Sequence, residues 1–131
     1  MQLGDFRSLV ARLSKEVPEE FLDGIAEITV SPRAVPHPTR ADIFTLGHCI
    51  PFHAGDTAAA DEIQSRVVLY HGSFRALAEL APDFDWRTET WETLTHELRP
   101  HLEWRARGGA LGAFDEGAEQ NVARPDGGPG D

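Results

Sequence analysis

The chain has 131 residues and a formal net charge of -10, which suits one compact domain and disfavours wrapping nucleic acid, since that needs a basic surface. One cysteine, Cys49, excludes an internal disulfide framework and fits a reducing cytoplasm. No apolar run is long enough to span a bilayer, and Met1 to Arg7 lacks the basic and apolar segments of a secretory signal. A cytoplasmic protein with no membrane and no nucleic-acid partner is expected.

Phe6, Leu9, Val10, Leu13 and Val17 recur at helical spacing, so a first amphipathic helix is predicted from Asp5 to Val17, with Asp5 as its N-cap. Pro18-Glu19-Glu20 starts a second helix, with proline in the first turn and acids at the positive end. Asp23-Gly24 ends it. Ile25 to Val30 reads as a short strand. Pro32, Pro36 and Pro38 make Ser31 to Arg40 an extended loop.

Ile43 to Ile50 is predicted as a second strand and Arg66 to Tyr70 as a third, with a polar connector from Pro51 to Ser65. Ser73 can cap a short helix with Phe74 and Leu77 inward, stopped before Pro82. Thr88 or Thr90 caps a last long helix. Its stripe of Trp91, Leu94, Leu98, Leu102 and Arg105 packs on the sheet and leaves His96 well to one side. Gly108-Gly109 ends that helix. Residues 117–131 are Gly, Pro and charge, a composition that predicts a disordered tail after a domain spanning 1–116. The order of elements implies an α+β fold, with a small mixed sheet of three or four strands covered by helices.

One run on the last helix carries chemistry. His96-Glu97-Leu98-Arg99-Pro100-His101 almost spells His-Glu-x-x-His. In that motif two histidines four residues apart share a helix face and hold zinc, and the Glu is general base to the metal-bound water. Here Pro100 occupies the place of the second histidine. Residues five apart differ by about 140° around a regular helix, so His96 and His101 would face different ways. Proline also removes a helix hydrogen bond at a cost of about 3 kcal/mol and commonly kinks the helix. A π-bulge between the two histidines would restore their stacking.

The segment Trp91 to Trp104 resembles the minimal-zincin metallopeptidase-like family of small bacterial proteins. Val30 to Pro38, Phe44-Thr45-Leu46-Gly47 and Val68 to Phe74 resemble its other blocks in the same order. The resemblance covers residues 5–115. It implies a zincin-like domain with the metal-site helix near the C-terminus, and zinc-dependent hydrolysis of short or unfolded peptide segments. His96 then matches the first zinc ligand, Glu97 the catalytic base, and His101 the family's adjacent non-ligand histidine. The third ligand is expected downstream as a carboxylate, with Asp115 the first candidate and Glu103 the second. Where the compact motif has Gly and Asp, this chain has Glu103 and Ala106.

Two functions follow. In one, His96, His101 and Asp115 hold zinc and Glu97 activates water. In the other, the scaffold has lost its metal and serves as a peptide-binding or regulatory module. His37, His48 and His53 with Cys49 fit no familiar zinc spacing, and His71 and Tyr70 read as strand-end structural residues.

Overall fold

The computed structural model describes residues 1–53, 63–106 and 118–123. Its elements run α1 (Leu3–Ser14), α2 (Glu19–Leu22), β1 (Ile25–Ser31), β2 (Ile43–His53), β3 (Ile63–Tyr70), α3 (His71–Leu80), α4 (Trp86–Ala106) and β4 (Ala118–Ala123). The architecture is α+β. The sheet has the order β1-β3-β2-β4. β1 lies parallel to β3, and β2 runs antiparallel to both β3 and β4.

Alternation along β3 decides which face is covered. Ser65, Val67 and Leu69 are buried, and their partners on β2 are Pro51, Cys49 and Gly47. These residues point toward the helical layer. The other face carries Arg66, which pairs with Glu27 on β1 and stacks 5.4 Å above the Phe52 ring.

Two apolar clusters fill the space between sheet and helices. Phe6, Val10, Leu46, Leu69, Phe74 and Leu77 form one. Its rings are tightly grouped: Phe6 and Phe74 lie 4.8 Å apart, and Trp86 sits 5.7 Å from Phe6. The other joins Leu9, Leu13, Val17, Cys49, Val67, Leu94, Leu98 and Trp104.

Several boundaries differ from expectation for local reasons. α1 begins at Leu3 with Gln2 in the cap position, so Asp5 lies in its first turn and is not its cap. Both central strands extend into the stretch read as a polar connector, because Phe52-His53 and Ile63-Gln64 continue the antiparallel ladder. Ser73 does not cap α3; its hydroxyl accepts the N–H of Val35 at 2.8 Å and ties the proline-rich loop to the helix. Asp85, and neither Thr88 nor Thr90, receives a first-turn N–H of α4, that of Thr88 at 3.1 Å.

Two further corrections matter more. Pro100 does not interrupt the helix, and the π-bulge does not form: α4 runs from Trp86 to Ala106 with Pro100 inside it and no π turn. Glu97, Leu98, His101 and Trp104 are all buried around the proline, and that packing offsets the lost hydrogen bond. The stretch read as a disordered tail contains β4 at Ala118–Ala123. Its backbone pairs with β2 from Ile43 to Cys49, so a sheet edge supplies the order that composition does not. Residues 124–131 and Gly108-Gly109 lie outside the described residues.

Candidate functional site

The site read from the sequence sits on α4, where it crosses β2 and β3. The buried stripe of this helix is Thr90, Thr93, Leu94, Glu97, Leu98, His101 and Trp104. The spacing is helical, but the stripe centres on polar residues. Trp91 and Leu102, expected within the stripe, are only half-buried along its flank.

Glu97 is 1% exposed. It fits there because β2 offers no side chain at Gly47: a Cβ at that place would lie 3.0 Å from the Glu97 Cγ and 3.1 Å from a Thr93 methyl. Glycine thus lets the helix and the carboxyl group settle directly on the strand. The charge of Glu97 also reaches Cys49, whose thiol is pushed up to about 11, first by burial. A thiol held there is protonated at neutral pH and is a poor nucleophile.

His101 is fully buried and both ring nitrogens are engaged. Nε2 lies 2.8 Å from the carbonyl oxygen of Asp23, which can only accept, so Nε2 carries the proton. Nδ1 lies 2.6 Å from the Ser65 hydroxyl. Burial foremost holds the His101 pKa below its ordinary value, with Arg105 adding to the effect and the Asp23 carbonyl opposing it. The neutral ring therefore accepts the Ser65 proton at Nδ1. Ser65 also lies close enough to the Cys49 thiol to oppose part of its rise. The result is a short chain of hydrogen bonds, Ser65 to His101 to the Asp23 carbonyl, with Cys49 beside its inner end.

The same helix end clamps the turn after α2. Arg105 reaches the Asp23 carboxylate at 3.1 Å. Gly24 has φ +85°, and a Cβ there would meet Arg105 Nη1 and stand 3.0 Å from the His101 ring. Only glycine meets both demands.

His96 lies apart from this cluster, exposed on the outer side of α4. Partial desolvation and then the neighbouring Arg99 cation lower its pKa. Glu103 is also exposed, and Asp115 lies outside the described residues. The structure therefore brings together Glu97 and His101 with Cys49 and Ser65, and leaves His96 and Glu103 outside.

Among the described residues, the donors do not fit a zinc centre. A ligand imidazole must turn a free nitrogen to the metal, and both nitrogens of His101 are spent on protein partners. With α4 continuous, His96 and His101 differ by about 140° in direction. Among the described residues, no group of three His, Cys, Asp or Glu is placed to hold a metal ion. Ser65, assigned by sequence to a connector, is the residue missed. Its signal was faint: one small polar residue beside a β-branched run.

A search of solved structures found a conserved hypothetical protein of Thermus thermophilus that is 38% identical over 81% of this chain and 98% of its own, with a TM-score of 0.66. The chain belongs to the family of that thermophile protein. No family model matches the chain, and no curated protein does. The family therefore shares this α+β domain across nearly the whole length of the thermophile protein. No helix among the described residues is long and apolar enough to cross a membrane.

Proposed function

We propose that this protein uses a zincin-like scaffold as a metal-free module that binds peptide segments. The observation that carries the reading is His101. It is the one histidine placed to replace the ligand lost at Pro100, and it is a buried strut between Ser65 and Asp23. The position of Glu97 supports the same reading. A general base must come within hydrogen-bond reach of the water it activates, and this side chain is buried against Gly47 with 1% exposure.

The test is zinc stoichiometry by elemental analysis on untagged protein, beside the Pro100→His variant. The parent is expected to hold far less than one zinc per chain. The variant is expected to bind at least about tenfold more tightly, because residues 96 and 100 share a helix face. Near one zinc per chain in the parent would overturn the proposal and restore zinc-dependent hydrolysis with Glu97 as base. In that case Glu97→Gln should abolish cleavage of an unfolded protein while zinc stays bound.

A further inference from the structure

On the flank of α4 away from His101, a cleft of about 240 Å³ opens between the helix and the segment that follows α1. Val17, Pro18 and Phe21 form one wall; Trp91, Leu98 and Leu102 form the other. The lining is almost wholly apolar. The Thr95 hydroxyl at its side is already spent on the Trp91 and Glu92 carbonyls, at 2.9 and 3.2 Å. Phe21 is 40% exposed, so its ring is open to an occupant of the cleft.

One cation stands in this lining. Arg99 borders the cleft and forms no ion pair among the described residues. His96, one turn earlier, lies close enough to feel its charge. An apolar slot edged by an unpaired guanidinium is complementary to an apolar side chain with a carboxylate beside it. Size narrows the occupant. Pockets for whole small-molecule ligands commonly run to about 300–1,000 Å³, so this cleft suits a single anchoring side chain.

We propose that this cleft seats one bulky apolar side chain of a peptide partner whose neighbouring carboxylate meets Arg99. The inference rests on the peptide-binding reading above and names its partner chemistry. It also gives the buried histidine a purpose. His101 and Arg105 hold Asp23, one residue beyond α2, and so fix the wall that carries Phe21. His101 is a positioning residue for the cleft.

Two probes test this on the full chain by two-dimensional NMR: acetyl-Glu-Leu-Phe-Glu-amide and its counterpart with lysine in place of both glutamates. The acidic peptide is expected to shift the Trp91 indole signal saturably and leave those of Trp86 and Trp104 in place. It should bind about tenfold more tightly than the basic one, the usual scale for a partly exposed charge contact. Arg99→Glu should reverse that preference, and Phe21→Ala should weaken both peptides; each residue is exposed, so the fold is expected to survive. Equal affinity for the two peptides, saturation that bypasses Trp91, or no binding at millimolar concentration would overturn the inference. So would a concentration-dependent dimer abolished by Phe21→Ala, which would assign the cleft to a second copy. These failures are distinct from failure of the metal-free reading, which stoichiometric zinc in the parent alone would bring about.

Discussion

The two halves of the core are built on different principles. Around Phe6, Phe74 and Trp86, ring centroids lie 4.8 to 6.1 Å apart, and stability comes from apolar area and shape. Under α4, leucines and Trp104 share the space with a buried thiol, hydroxyl, carboxyl group and imidazole. Burying those groups is costly unless they bond to one another. The first half tolerates imprecise chemistry but not lost volume. The second depends on each polar partner staying in place. The polar burial is concentrated at the residues that the sequence singles out, Glu97 and His101.

Four experiments sharpen that contrast, in descending order of effect. Phe74→Ala should cost about 3–5 kcal/mol in urea denaturation, through lost transfer energy and an unfilled cavity. His101→Ala should cost about 2–4 kcal/mol, because it leaves the Ser65 hydroxyl and the Asp23 carbonyl without their partner. Adding Ser65→Ala to His101→Ala should cost less than the sum of the two single changes, since the variants share one interaction. Full additivity would mean that the polar chain has no collective role.

The third experiment is a pH series. The His101 pKa is lowered in the folded state, so the unfolded chain binds more protons once the pH falls below about 6.5. Stability should be fully present above that value and decline as the pH drops below it, down to the folded-state pKa. Asp23, Ser65 and Arg105 are the polar and charged groups that face this ring. His101→Gln should flatten the decline between pH 7 and 5; an unchanged slope would place its origin elsewhere. The smallest effect is chemical. Cys49, with its thiol at about 11 and fully buried, should stay inert to thiol reagents at neutral pH until the protein is unfolded by urea.

The apolar half was legible in the sequence. Phe6, Val10, Phe74 and Leu77 announce themselves by helical spacing, and β1 and β3 by β-branched runs. The polar half was legible only in outline. Glu97 and His101 stand out as motif residues, but motif reading aims them at a metal, whereas Thr93, Glu97 and His101 at successive turns also describe a stripe facing inward. Nothing local tells the two apart. The decision is made by Ser65 and Asp23, 36 and 78 residues away in sequence. Pro100 misled for a related reason: its local penalty is real, and tertiary packing on both sides overrides it. β4 was hidden because its pairing belongs to the edge of β2 and not to its own composition.

The bond from His101 to Asp23 spans 78 residues, among the longest separations in the described structure. During synthesis, α1, α2 and β1 leave the ribosome long before residue 101 exists. β1 lacks its parallel neighbour β3 for a further forty or so residues, as the pairing of Ile28 with Val67 requires. The turn at Gly24 therefore gains its contacts with His101 and Arg105 only once α4 has emerged, so the native packing of the front of the chain is completed from its far end.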